Sequence, residues 1–130
     1  MGKQHSDEER HERISAVFMK LKEVTEDLKK QTIQASYNQN AIAMGHIFSG
    51  AEKQIIFRQA QQKFYKSKFA HSVHMNLMDL FKTGMDQTGH FRNCRELILK
   101  LDNMSKEAVE KEEFGIAEIV KAWRNMLPDE

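Results

Sequence analysis

Residues 53–78, KQIIFRQAQQKFYKSKFAHSVHMNLM, are the stretch around which the rest of the chain is organised. They contain five lysine and arginine residues and no acidic residue, whereas the chain before them carries seven basic and eight acidic residues and the chain after them eight and eleven. Aromatic side chains recur within the stretch, at Phe57, Phe64, Tyr65 and Phe69. A basic, aromatic segment between two mildly acidic arms indicates contact with a negatively charged partner.

The same stretch predicts a long helix. Apolar or imidazole side chains recur seven residues apart and continue beyond it, at Phe57, Phe64, His71, Met78 and Met85. This is the spacing of a helical packing seam. We expect the helix to continue to about residue 82, because the following residues 83–89 (TGMDQTG) contain two glycines suited to a helix stop and a turn.

The first third of the chain carries another seam. Its apolar positions alternate between three and four residues apart, at Ile14, Val17, Leu21, Val24 and Leu28. A capping box at Ser6 and Glu9 precedes them. The pattern predicts a helix over residues 7–33, with Lys29 and Lys30 placed favourably near its C-terminal end.

A second capping box begins at Ser36 and predicts that a new helix starts there. An apolar seam then extends from Tyr37 to Ile55, interrupted by glycines and by a third capping box at Ser49. Two alternatives remain: the chain turns near Ser49 and Gly50, or a single helix passes through them with a kink.

The last third contains a further seam, at Phe91, Cys94, Leu97, Ile98, Leu101 and Met104. Ser105 then suits the N-cap of a final helix over residues 106–126, whose first turn is acidic and last turn basic. Its core face would comprise Ile116, Ile119, Val120, Trp123 and Leu127.

These patterns predict an all-α fold, with four to five helices in an antiparallel bundle that has coiled-coil-like seams. With 130 residues, 40% hydrophobic and 30% charged, the chain suits one helical domain over residues 1–130, with flexible ends at 1–6 and 127–130. A single cysteine and the lack of a long apolar run favour a cytoplasmic location.

The predicted binding surface is basic and aromatic, and consists of Lys53, Arg58, Lys63, Tyr65, Lys66 and Lys68. The leading hypothesis is a non-enzymatic adaptor or regulatory subunit that uses this surface to bind an acidic face or helix of another protein. Narrow apolar seams also favour self-association. Nucleic-acid binding is not expected, because no motif of that class is present.

A membrane-associated role is the main alternative. The chain opens MGKQHS, which fits the pattern for N-myristoylation of Gly2. An acyl chain and the basic helix would then act as two weak signals for an anionic membrane. Retroviral matrix domains, which the chain resembles at the level of these parts, combine the same two elements on a helical domain.

Histidines suggest a third class of function. His71 and His74 are spaced as two metal ligands on one helical face would be. The preferred interpretation is structural, with His71 at a seam position and His74 as a partly exposed neighbour. The segment from His46 to Gly50 resembles the histidine motif of phosphotransfer domains, but Ser49 stands where that family usually has lysine or arginine.

The sequence shows no enzyme signature. Cys94 lies at an apolar position, the six glycines never cluster into a phosphate loop, and no carboxylate pair stands in an apolar context. We therefore expect no catalytic residue and no cofactor.

Overall fold

The computed structural model describes residues 7–49, 54–85, 91 and 94–128. Four α-helices lie within these residues: α1 (Asp7–Ser49), α2 (Gln54–Thr83), α3 (Cys94–Glu110) and α4 (Phe114–Arg124). Strand pairing in this part of the chain is limited to an isolated antiparallel bridge between Met85 and Phe91. The predicted all-α bundle is confirmed.

The chain forms two compact units. We call residues 1–23 and 73–130 the bundle unit and residues 24–72 the two-helix unit. The bundle unit contains α3, α4 and one end each of α1 and α2, and the two-helix unit contains the remainder of α1 and α2. The expectation of one domain over residues 1–130 stays a prediction.

An aromatic cluster forms the centre of the bundle unit. The ring of Phe18 on α1 stacks on that of Phe81 on α2 at 5.9 Å between centroids, and Phe91 contacts both rings edge-on at 6.3 and 6.1 Å. The same unit also contains fully buried aliphatic side chains: Ile14, Leu21, Leu77, Leu101 and Val120. Edge-to-face and offset ring pairs add to the stabilisation that burial alone provides.

α1 is one continuous helix through Ser36, so the predicted helix start at that residue is wrong. A capping box acts only where the preceding residues leave the helix, and no glycine or proline lies between residues 31 and 44 to make them do so. The hydroxyl of Thr32 donates to the carbonyl of Leu28 at 2.7 Å, a bond made within the helix. The choice between a turn and a kink at Gly50 concerns residues 50–53, which lie outside the described residues.

The break between α3 and α4 lies at residues 111–113 and not at Ser105, where the sequence predicted it. Ser105 is buried inside α3. The helix ends in a Schellman motif, in which Glu112 has a φ of 60° and its N–H donates to the Val109 carbonyl, while the N–H of Glu113 donates to the Ala108 carbonyl. The position with positive φ in such a motif is usually glycine, and because a glutamate occupies it here, no local pattern marks the break.

The end of the chain is packed as far as the structure describes it. Leu127 is only 4% exposed and Pro128 is buried, although residues 127–130 were predicted to be flexible. Trp123 and Val120 are also buried, which confirms most of the predicted core face of α4. Residues 1–6 and 129–130 lie outside the description.

Candidate functional site

Positive charge is concentrated in the two-helix unit. Residues 24–72 contain seven lysine and arginine residues and three acidic residues, which gives +4, whereas the rest of the chain contains 13 and 16, which gives −3. Glu52 is the only acidic residue between positions 28 and 72. The excess comes from the central stretch, because the α1 part of the unit, residues 24–49, contains two lysines and two acidic residues.

The predicted cations on α2 are exposed, namely Arg58, Lys63, Lys66 and Lys68. The ion pairs seen in the described part of the chain join Glu96 to Lys100, Glu107 to Lys111 and Asp102 to Arg124, and none involves these four cations. Lys68 places its ammonium over the Phe64 ring, 5.9 Å from the centroid. Lys53 lies outside the described residues. The charges of α2 are thus open to an external partner.

α2 carries an exposed stripe opposite its packed face. The stripe, which we call the outer stripe, consists of Ile55, Arg58, Gln62, Tyr65 and Phe69. At 100° per residue these positions lie within an arc of roughly 80°. Tyr65 is 56% exposed and Phe69 44% exposed. On the other side of the helix, Phe57 and Phe64 are half-buried and Ala60 is buried, so the predicted register of sevens does mark the packed face.

The described members of the predicted seam from Tyr37 to Ile55 are exposed, so these positions do not form a packed face. Tyr37 is 71%, Met44 65% and Ile55 67% exposed. The packed face of α1 instead continues the first seam by steps of seven, and its members are buried or half-buried: Ile14, Leu21, Leu28, Ala35 and Ile42. Because α1 does not stop at Ser36, its packing register does not restart there.

A groove of about 550 Å³ lies within the two-helix unit. Two lysines are among its described lining residues, which are Lys30, Gln31, Gln34, Ala35 and Asn38 from α1, with Lys63 and Ser67 from α2. Lys63 therefore lines the groove, on a different side of α2 from the outer stripe. The structure separates Lys63 from Arg58, and Lys68 belongs neither to the groove nor to the outer stripe. Lys30 was missed because it was assigned to a helix end, whereas α1 continues past it.

The two candidate metal-binding histidines have different environments. His74 is 7% exposed, and its Nε2 accepts a hydrogen bond of 2.9 Å from the indole N–H of Trp123, with the rings in edge-on contact. His71 is half-buried. The expectation of a partly exposed His74 is therefore wrong. Among the described residues, no group of three or more histidine, cysteine, aspartate or glutamate side chains is placed to hold a metal ion.

Other predicted positions fall partly outside the description. Gly2 and the side chains of His46 and Ser49 are not among the described residues, so acylation and phosphotransfer stay predictions. Cys94 is half-buried at the start of α3. None of the described helices combines the length and the apolar character needed to span a bilayer. Comparison of the chain with protein-family models, with curated proteins and with solved structures found no match.

Proposed function

We propose that this protein is a non-enzymatic helical adaptor or regulatory subunit, and that the outer stripe of α2 binds an acidic amphipathic helix of a partner protein. One observation carries the proposal: Arg58, Tyr65 and Phe69 share an exposed arc of α2, and none of the ion pairs among the described residues neutralises the cation. We place this role in the cytoplasm, where a chain with one cysteine needs no disulfide.

The apolar part of the stripe supplies affinity. Full burial of a large apolar side chain is worth about 1.5 to 3 kcal/mol, so covering the exposed halves of Tyr65 and Phe69 gives roughly 1 kcal/mol each. Ile55, which is 67% exposed, adds a third contact on the same arc. The five positions of the stripe are spaced three and four residues apart, which is the spacing that fits the face of another helix.

The charged part of the stripe supplies orientation and selectivity. Arg58 lies within the arc and Lys66 beside it, both exposed. Guanidinium groups bind carboxylates through two parallel hydrogen bonds, and complementary charges across an interface raise the association rate and reject basic partners. A partner helix with aspartate or glutamate flanking its apolar face meets both requirements.

A membrane is the competing hypothesis, with acylated Gly2 as a second anchor. The composition of the stripe favours a helix over a bilayer, because Arg58 and Gln62 lie within its arc of roughly 80° and leave it no continuous apolar face. Helices that lie in the membrane interface bury a broad apolar face in lipid.

Site-specific crosslinking tests the proposal. Benzoylphenylalanine would replace Tyr65 in the full chain expressed in its native cells, and Leu99, which is 57% exposed on α3, would carry the same group as the control. We expect crosslinks from position 65 to an acidic amphipathic helix, and none to that segment from position 99. Crosslinks from position 65 to lipid alone, or equal crosslinks from both positions, would contradict the proposal.

A further inference from the structure

The groove of the two-helix unit has an unusual set of polar groups. Lysines line it from two different helices, Lys30 from α1 and Lys63 from α2. Three carboxamide residues and a serine are its other polar lining residues: Gln31, Gln34, Asn38 and Ser67. None of the described lining residues is acidic. Glu26 and Asp27, about one turn before Lys30 on α1, are exposed and do not line the groove.

The two ammonium groups favour a dianion. A phosphate monoester carries a charge of about −1.5 to −2 at neutral pH, whereas a carboxylate carries one negative charge. Carboxylates are also recognised most specifically by arginine, whose planar group forms paired hydrogen bonds, while lysine binds phosphate as a point charge. The lining contains lysine and no arginine.

The remaining groups indicate what the phosphate is attached to. Carboxamides both donate and accept hydrogen bonds, and so does a serine hydroxyl, which suits a ligand with several hydroxyl groups. A volume of about 550 Å³ lies within the range of small-molecule sites, roughly 300 to 1,000 Å³. Ala35, which is buried, is the one apolar residue type among the described lining residues.

We propose that this groove binds the phosphate monoester of a polyhydroxylated small molecule, with the phosphate between Lys30 and Lys63. The ligand chemistry has two sources, a free phosphorylated metabolite or the headgroup of a phosphorylated inositol lipid. The site is distinct from the outer stripe of α2, so it does not depend on the proposed protein partner.

Titration calorimetry of the full chain with inositol trisphosphate tests the site. The variant Lys30→Gln/Lys63→Gln removes both ammonium groups, and Lys29→Gln/Lys82→Gln removes the same charge from exposed positions outside the groove. We expect the first variant to bind at least about tenfold more weakly, because a hydrogen bond to a charged group is lost at each position. The control variant should stay within about twofold of wild type, since long-range attraction is screened by salt.

A neutral variant separates recognition from bulk charge. Gln34→Ala leaves the charge unchanged and removes a polar group from the groove. We expect it to weaken binding about fivefold, as the loss of one neutral hydrogen bond does. Circular dichroism of each variant should match wild type, because the two lysines and Gln34 are exposed.

Vesicles distinguish the two sources of the ligand. The vesicles are made of phosphatidylcholine with phosphatidylinositol bisphosphate. The site would be assigned to a lipid headgroup if the wild-type protein sediments with these vesicles, Lys30→Gln/Lys63→Gln does not, and free inositol trisphosphate binds only weakly. Binding of the free compound alone would assign it to a metabolite. The proposal is overturned if neither probe binds at about 1 mM, because even a weak site is occupied at that concentration. It is also overturned if the groove variant and the control variant weaken binding equally.

Discussion

Trp123 on α4 donates its indole N–H to Nε2 of His74 on α2 at 2.9 Å, and both side chains are buried. A nitrogen that accepts a hydrogen bond carries no proton, so the geometry requires the tautomer of His74 that is protonated at Nδ1. The bond joins two helices of the bundle unit through residues that lie 49 positions apart in the sequence. His74 therefore has a structural role in the bundle unit, fixing α4 against α2.

We expect His74→Leu to lower the free energy of unfolding by about 1 to 3 kcal/mol, because the buried indole N–H loses its acceptor. His71→Leu, at a half-buried position without a described hydrogen bond of this kind, should change it by less than about 0.5 kcal/mol. Urea denaturation followed by circular dichroism measures both. A double-mutant cycle with Trp123→Phe should give a coupling energy of about 1 kcal/mol, and strictly additive losses would show that the bond contributes nothing.

Phe81→Ala should destabilise the bundle unit by about 3 to 5 kcal/mol, because the side chain is fully buried between Phe18 and Phe91 and its removal leaves a cavity. Phe69→Ala is the matched control on the same helix, with the ring 44% exposed. It should cost less than about 1 kcal/mol, since little packing is lost. Similar losses in thermal unfolding for the two variants would contradict the assignment of Phe81 to the core and of Phe69 to the surface.

Glu112→Gly should stabilise the protein by roughly 0.5 to 1 kcal/mol. The left-handed conformation destabilises the folded state by about 1 to 2 kcal/mol for a residue with a side chain, and glycine removes this strain. Part of the resulting stabilisation is lost, because glycine has greater conformational entropy in the unfolded chain. Glu113→Gly, at a neighbouring residue whose φ is −90°, should be neutral or destabilising. The measurement is the midpoint of thermal unfolding, and an equal response at both positions would argue against a Schellman motif at residue 112.

Tyr37→Pro tests whether α1 is continuous. If a new helix began at Ser36, proline at position 37 would be tolerated in its first turn. Within a continuous helix it should cost about 3 kcal/mol and lower the helical circular dichroism signal, whereas Tyr37→Ala should leave the signal unchanged because the side chain is 71% exposed. Equal signals from the two variants would restore the break that the capping box predicts.

Seven-residue spacing predicted the fold class and much of the core. The spacing from Ile14 to Leu21, and that from Phe57 to Phe64, describe which face of each helix packs, and this information is local to the helix. Local signals failed at Ser36 and Ser105, because a serine followed by a glutamate or glutamine marks a helix start only where the chain has already left the helix. The break at Glu112 depends on a left-handed backbone conformation, which a glutamate side chain does not predict.

The candidate sites were predicted only in part for a related reason. Arg58 and Tyr65 share a stripe because of helical periodicity, which the sequence contains. Lys30 and Lys63 share a groove because α1 and α2 both line it, and the register between two helices depends on how their packed faces fit together. No pattern within either helix predicts that pairing.

Binding through the outer stripe is tested most directly with the crosslinked partner segment, prepared as a synthetic peptide. Its affinity is measured for the wild-type protein and for Arg58→Glu. Calorimetry should show Arg58→Glu weakening binding by at least about tenfold, because an attractive charge in the outer stripe becomes repulsive. Lys100→Glu, an exposed lysine on α3, should bind as wild type does. Equal affinities for wild type and Arg58→Glu would contradict the account.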